Sequence, residues 1–506
     1  MINQRKAGAI LSYINIFASI VAGMITVPMI VNVVSLGDYG VYTMMGSLIA
    51  VMGVMDFGLS GTMTRYYTRS MVLHDEKMQE NTLATGTLIY GGIGIICAIV
   101  GVVLYPLIDT IYSARFSPDE IILAQRIFII MMANFTISIT TNIFTSALTS
   151  HEKFVFLRTL DIFKTIINPI LIYVVLYSTK NIMTVVIIHT SVNIFGIFMR
   201  AYFAFGKLKI KIKLHYWDKE LFGEVTAFAF FIFLNMIMDK IYWQTDNLIL
   251  GRVVGTQMVA VYGTAATLNQ HYLNFSSNVA SVFLPKITKI SAKTDDMTEI
   301  NEVFLRIGRV QYIIIMLILS GFIIFGQEFI QFWVGDRFKN AYYYSLIVMI
   351  PLVIPLIQNT GISILQAKKK HQFRSIVYII IAALNFTASI PLAKLYGGFG
   401  CAAATGASLL IGQGLIINIY YKKKIGLEIG NFFKQILKMT PPILLLGLAI
   451  YIINQKMIVD SLIMLIVKII IYCIMYFAIA EIFVFNQYEK DSFTGWLKRI
   501  LWRARK

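Results

Sequence analysis

Nine charged residues stand inside stretches of sequence that are otherwise almost wholly apolar: Arg126, Lys164, Lys240 and Lys468, with Asp56, Asp161, Asp239, Asp246 and Glu481. An ionisable side chain at membrane depth costs at least about 2.5–3.5 kcal/mol, so it persists there by facing a wet cavity or by pairing with another group. The cations suit an anionic ligand, and a carboxylate beside them could change its proton or sodium occupancy. Asn235, Asp239 and Asp246 fall at i, i+4 and i+11, on one broad helical face, with Lys240 next to them. Ser12, Asn15, Ser19 and Thr26 form a polar stripe in the first apolar stretch, and Thr267, Gln270, Asn274, Asn278 and Ser281 form another in the eighth. Polar stripes of this kind would line a hydrated cavity. The expected ligand-binding residues are Arg126, Lys164, Lys240, Asn15 and Asn274, and the expected ion-coupling residues are Asp239 and Asp246. Any single Ser or Asn is explained as well by ordinary interhelical hydrogen bonding, worth about 1 kcal/mol or less. Asp161 and Lys164, at i and i+3, read equally as a site or as a locally neutralised pair.

The elements that must carry these residues follow from composition. Of 506 residues, 58% are hydrophobic and 14% charged, and mean hydropathy is +0.73. This is a membrane composition, and it excludes a string of soluble domains or a disordered chain. A bilayer core of about 30 Å needs about 20 apolar residues per helix. Fourteen such stretches can be marked, from 9–34 to 462–485. The first follows Arg5 and Lys6 and reads as a retained signal anchor. If alternate connections are taken as cytoplasmic, they hold 33 of the 44 Lys and Arg, while the opposite connections hold 7. That bias expects both termini in the cytoplasm. A net charge of +18 is thereby explained without nucleic acid, because the lysines punctuate apolar segments and do not gather on one polar face.

The chain also resembles itself. With a shift of 217, Asn142, Ser146, Leu148, Lys153, Phe156, Ile162 and Asn168 fall on Asn359, Ser363, Leu365, Lys370, Phe373, Ile379 and Asn385. The expected fold class is therefore an all-α polytopic membrane protein with 14 transmembrane helices, in two pseudo-symmetric six-helix lobes plus two C-terminal helices. The expected boundaries are 1–206 for the first lobe, 207–219 for a basic cytoplasmic linker, 220–421 for the second lobe, and 422–506 for the last two helices with a basic tail. An even number of helices per copy gives both copies the same orientation, a transporter architecture. Within the linker, Lys207, Lys209, Lys211 and Lys213 alternate with apolar residues, which would set four lysines on one side, as a solvated linker or a lipid-headgroup contact. Phe493, Trp496, Leu497 and Ile500 recur opposite Lys498, Arg499 and Arg503, as in an interfacial amphipathic helix.

Several chemistries lack their residues. Gly321–Gly326 has the glycine spacing of a phosphate loop but continues into Gln327 and Glu328, without the lysine. His151-Glu152 has Val155 where a zinc helix needs its second histidine. Cys97, Cys401 and Cys473 lie far apart within apolar runs. No cofactor, metal or catalytic constellation is expected, and the protein is not expected to be an enzyme.

Four motifs give a family resemblance: Leu36-Gly37-Asp38-Tyr39-Gly40-Val41-Tyr42, Asp56-Phe57-Gly58-Leu59, Asp246-Asn247-Leu248-Ile249-Leu250-Gly251 and Val259-Ala260-Val261-Tyr262. In this order and at these places relative to the spans, the chain resembles the polysaccharide transporter, or Wzx-type flippase, branch of the MATE-like (MOP) superfamily. The resemblance implies a bacterial inner-membrane flippase that moves an undecaprenyl-pyrophosphate-linked oligosaccharide outward by alternating access, through a cationic central cavity. It also implies membrane lipids, a polysaccharide polymerase and other glycan-assembly proteins as partners. The motifs do not include Arg126, Lys164 or Lys240. The lipid II flippase branch is a poorer match, and a MATE-type multidrug or small-metabolite cation antiporter is the alternative.

Overall fold

The computed structural model describes residues 4–493 apart from 218, 294–296, 369, 371 and 458–460. The side chains of 5, 219–221, 224–235, 238, 491–493 and most of 277–293 also lie outside the described residues. Asn235, Asn278, Ser281 and the amphipathic tail from Phe493 onward therefore receive no structural account.

The described chain is almost entirely helical. Among the described residues twelve helical segments are long and apolar enough to cross a membrane: α1 Lys6–Val31, α2 Leu36–Val72, α3 Glu76–Tyr112, α4 Pro118–Ser150, α5 Phe154–Thr179, α6 Ile182–Lys207, and then α9 Met297–Val334, α10 Asp336–Ile357, α11 Gln372–Tyr396, α12 Gly398–Ile425, α13 Ile429–Gln455 and α14 Leu462–Phe483. Between them α7 Lys219–Val253 and α8 Thr256–Lys293 cover the seventh and eighth expected stretches. A short α15 Gln487–Phe493 follows.

Several helices outrun their apolar stretches, because polar caps and not hydropathy set their ends. Asp75 accepts a hydrogen bond from the Met78 amide, starting α3 before its apolar run, and Ser117 with Glu120 forms a complete capping box at the start of α4. The interruptions also have local causes. Phe57 and Gly58 adopt left-handed conformations (φ 51° and 66°) and split α2 behind a turn of 3-10 helix at Gly53–Asp56. In α4, Thr140 and Thr141 bond back to carbonyls of the preceding turn at the point where the helix breaks. In α10, Pro351 and Pro355 each remove a backbone donor, and the helix resumes after a break as Thr360–Ala367.

Contacts divide the chain into two compact units, 1–263 with 389–397 and 264–388 with 398–506. In the first unit α1 packs along α5, α3 along α4 and α5 along α6. Small residues allow close approach: a Cβ on Gly94 would sit 2.3 Å from Thr140, and one on Gly40 would sit 1.9 Å from the Thr256 carbonyl oxygen. Gly37 faces Glu120, which accepts a hydrogen bond from the Thr256 hydroxyl at 2.7 Å. The first family-like motif thus acts in packing, locking the start of α2 onto the starts of α4 and α8. In the second unit α10 packs on α12, and α9 packs on α13 and α14. Arg309 of α9 and Glu489 of α15 form a buried ion pair at 2.6 Å, with the same guanidinium donating to the Val484 carbonyl.

The linker alternates as its period of two expects. Lys207, Lys209, Lys211 and Lys213 are exposed while Ile210 is buried, and the His215 and Tyr216 amides both donate to Asn81 of α3.

Candidate functional site

The polar residues of the first unit collect on the mutually facing sides of α1, α4, α5 and α6. Asp161 on α5 accepts from Arg200 near the end of α6 at 3.0 Å and from Arg158 at 3.4 Å. Arg200 also reaches the Thr145 hydroxyl of α4 at 3.4 Å. Lys164 lies one turn further along α5, its stem laid over Gly196 of α6, where an added Cβ would come within 2.7 Å of the Lys164 Cδ. It is half-buried and within electrostatic reach of Arg200 and Asp161. Among the described residues its ammonium has no hydrogen-bond acceptor and no carboxylate in salt-bridge range.

The expected local pair Asp161–Lys164 is therefore not the pair that forms. Asp161 is taken by Arg200 and Arg158, which leaves three cations around one carboxylate, with Lys164 uncommitted. Cation excess of this kind attracts an anion, and a guanidinium with an ammonium presents both fork and point-charge donors to phosphate oxygens.

Further along the same faces, the Thr165 hydroxyl donates to Asn15 of α1 at 3.1 Å. Asn168 bonds to His189 of α6, whose ring stacks with Tyr42. Asn193 of α6 donates to Asn134 at 2.9 Å and to Ser138 at 2.7 Å, both on α4. The seam thus runs from Arg200 to His189 through side chains that hold one another in place.

Of the residues expected from sequence, Asn15 and Lys164 fall along this seam. Arg126 does not: it is exposed and lies on α4 19 residues before Thr145, about 28 Å along the helix axis. Lys240, half-buried on α7, has its stem beside the interruption of α2, with its Cε 4.0 Å from a Cβ placed on Gly53. Asp239 is exposed. Asp246 is buried and accepts from the Tyr262 hydroxyl at 2.6 Å and the Ser389 hydroxyl at 3.1 Å. Asn274 belongs to the second unit, where it accepts from Gln270 at 3.2 Å. The hydroxyls of Ser12, Ser19 and Thr26 bond to carbonyls four residues back in α1. Lys468 donates to Asn454 and to the Met457 carbonyl, a local anchor between α13 and α14.

Neither Arg200 nor Asn193 stands out in the sequence as a site residue. A signal for the rest existed: Asn134 and Ser138 stand at i and i+4 on one face of α4.

Residues 30–343, well over half of the chain, match the model of the polysaccharide biosynthesis protein family. The chain belongs to that family. No curated protein matches it by sequence. Among solved structures its fold is similar to the lipid II flippase MurJ in an inward closed conformation, with a TM-score of 0.73 at 17% identity, covering 94% of this chain and 98% of that one. It is also similar to an inward-facing multidrug resistance MATE family transporter of the MOP superfamily (TM-score 0.66, 12% identity, 82% and 96% covered). A third is a MOP superfamily transporter from Pyrococcus furiosus (TM-score 0.57, 13% identity, 83% and 96% covered). The fold of this family member is thus similar to those of the flippase and these transporters, and the family member is a multi-pass membrane protein.

Proposed function

We propose that the protein is a flippase that moves an undecaprenyl-pyrophosphate-linked oligosaccharide from the inner to the outer leaflet of the bacterial cytoplasmic membrane by alternating access, for surface polysaccharide synthesis. The observation that carries this reading is the uncommitted Lys164 beside Arg200, a half-buried cation excess in a chain of the polysaccharide biosynthesis family. A pyrophosphate cannot cross hydrocarbon unaccompanied, and these two cations would escort it while the polyprenyl tail stays in lipid. Moving anionic charge outward across a membrane negative inside is downhill by about 2.3 kcal/mol per charge per 100 mV, so no nucleotide is required.

In this reading α7 and α8 also span, giving fourteen spans with both termini cytoplasmic. The chain divides into repeats at 1–206 and 220–421, a linker at 207–219, and the pair α13–α14 with its basic tail from 422. Lys240 is a third cation for the cargo, Asn15 and Asn274 are polar contacts, and Asp239 and Asp246 are the candidates for ion coupling. The fold shared with the MATE transporter favours one other reading, a cation antiporter.

One experiment separates these. In proteoliposomes, Lys164→Gln and Arg200→Gln should each slow the outer-leaflet appearance of the lipid-linked glycan roughly 10-fold or more, as loss of a charge-assisted hydrogen bond of about 1.5–3 kcal/mol requires. Asp239→Asn in the same assay should change the response to an imposed proton or sodium gradient. Full transport by both cation variants, with export of cationic dyes by the wild type, would replace the flippase by the antiporter.

A further inference from the structure

Arg126 lies outside the polar seam, on the other side of α4. Arg126, Ile129, Ala133 and Thr136 follow at i, i+3, i+7 and i+10, so they share one face, whereas Asn134 and Ser138 are on another. The Arg126 face is the exposed one: Ile122, Ile129 and Ile137 are 47%, 52% and 42% exposed on it, and Ile99, Val102 and Val103 of α3 are exposed beside it. Such surfaces of a membrane-spanning helix pair meet lipid. A guanidinium there carries the penalty of an intramembrane charge unless an anion comes to it. Among the described residues Arg126 has neither an ion pair nor a hydrogen-bond acceptor.

Directly along this face runs a groove of about 530 Å³ between α3 and α4, lined by Gly101, Tyr105, Ile129, Met132, Ala133 and Thr136 among others. The helices run antiparallel, since Gly94 meets Thr140 and Gly101 meets Met132. Tyr105 is therefore level with Ile129, at the end of the groove that faces Arg126. From Arg126 to Ile137 is 11 residues, about 16 Å along the axis. That is half of a hydrocarbon core of about 30 Å, the depth of one leaflet.

We propose that Arg126 and the α3–α4 groove form a binding site for an anionic glycerophospholipid, with the phosphate on the guanidinium and one acyl chain in the groove. The depth favours a glycerophospholipid, whose chain ends at the bilayer midplane, over a polyprenyl lipid whose longer tail would run past the groove. The charge selects the headgroup: the guanidinium pairs with a phosphodiester lacking a neighbouring ammonium, so phosphatidylglycerol is preferred to phosphatidylcholine. Tyr105, with an apolar ring and a polar tip, suits the boundary between headgroup and chain. This site is independent of the proposed cargo.

The test is native mass spectrometry of the full-length protein released from detergent containing equal amounts of phosphatidylglycerol and phosphatidylcholine. The wild type should retain at least one more phosphatidylglycerol than Arg126→Gln, and the several-fold preference for that lipid should fall in the variant. Ala133→Phe, which fills the groove and leaves Arg126 in place, should lose the same lipid. If the packed Phe variant fails to fold, the exposed Arg126→Gln change carries the test alone. Equal phosphatidylglycerol retention by wild type and Arg126→Gln would overturn the proposal. So would displacement of the bound lipid by equimolar undecaprenyl phosphate, which would assign the groove to a polyprenyl chain.

Discussion

Lys164 lies over Gly196 where α5 crosses α6, and Ile381 lies over Gly412 where α11 crosses α12. The two lysine-and-isoleucine positions are 217 residues apart and the two glycines 216, so the same helix-on-helix contact occurs once in each half of the chain. The same offsets relate Asn168, bonded to His189, to Asn385, bonded to Thr405 at 3.2 Å. The α4 break at Thr141 has its counterpart in the α10 break at Gln358, and the π-helical turn Phe203–Lys207 has its counterpart in Tyr421–Ile425. Backbone geometry and one interhelical hydrogen bond are duplicated. Charge is not. Asp161 corresponds to Tyr378 and Lys164 to Ile381, Asn134 and Ser138 correspond to Pro351 and Pro355, and Asn193 corresponds to Leu409. Around the counterpart of Arg200 stand Ile416, Ile417 and Asn418. One half therefore gathers Lys164, Arg200 and Asp161 at the place where the other keeps only uncharged polar pairs, Asn385 with Thr405 and Gln358 with Asn418, which argues that the charged cluster serves a ligand and not the fold.

The sharpest way to break this comparison is to exchange the two side chains. Ile381 is 4% exposed, so Ile381→Lys places an ammonium in an apolar contact at membrane depth. It should cost at least about 2.5–3.5 kcal/mol, visible as a large drop in folded yield and in the thermal midpoint in detergent. Lys164→Ile should leave that midpoint unchanged or raised while transport falls as for Lys164→Gln. If Ile381→Lys were as stable as the wild type, the two contacts would not differ in polarity as described.

A smaller effect sharpens the comparison from the glycine side. An alanine Cβ at Gly412 would sit 1.8 Å from Ile381 Cδ1, while one at Gly196 would sit 2.7 Å from Lys164 Cδ. Isoleucine is branched and stiff at χ1, whereas the long lysine stem can slide aside. Gly412→Ala should therefore destabilise the protein by about 1–3 kcal/mol, the usual range for overpacking. Gly196→Ala should change stability less and transport more, because it displaces the ammonium. Equal thermal shifts for the two variants would show that Lys164 is held as rigidly as Ile381.

The matching helix breaks and interhelical asparagines were legible in spacing: the identities from Asn142 to Asn168 begin just after the breaks at Thr141 and Gln358 and end on Asn168 and Asn385. The placement of twelve of the fourteen apolar stretches was legible because each needs only local composition, and these twelve coincide with the described helices long and apolar enough to cross a membrane. The site was legible in part. Lys164 and Asn15 stand out as polar residues in apolar helices, but which residue partners Asp161 depends on how α5 crosses α6, and no spacing within α5 reports that Arg200 arrives there. Arg126 illustrates the opposite failure. A charge inside a span announces itself, yet the face it occupies is decided by which neighbours α4 packs against, and α2, α3 and α6 leave Arg126 on the outside.

The turn between α4 and α5 yields the smallest expected effect, and a pH-dependent one. His151 lies between Ser150 and Phe154, outside the spans, with its Nε2 3.2 Å from the Tyr67 hydroxyl and its ring against that tyrosine. Burial, with Lys153 adding to it, holds its imidazole below the ordinary histidine value, so the folded protein keeps it neutral. Its counterpart, 217 residues on, is Lys368 and not a histidine. Because the folded pKa is below the unfolded value of about 6.5, the unfolded chain takes up more protons as the pH drops past that value. The contribution of His151 is thus complete above about pH 6.5 and is lost as pH falls toward the folded pKa. Between about pH 7.5 and 5.5 the thermal midpoint should fall, and His151→Gln should fall less over the same interval. Lys368→Gln should leave the slope as it is in the wild type. An unchanged slope in His151→Gln would mean that the imidazole gains its proton as readily in the folded protein as in the unfolded chain, and the difference between the two turns would then lie in sequence alone.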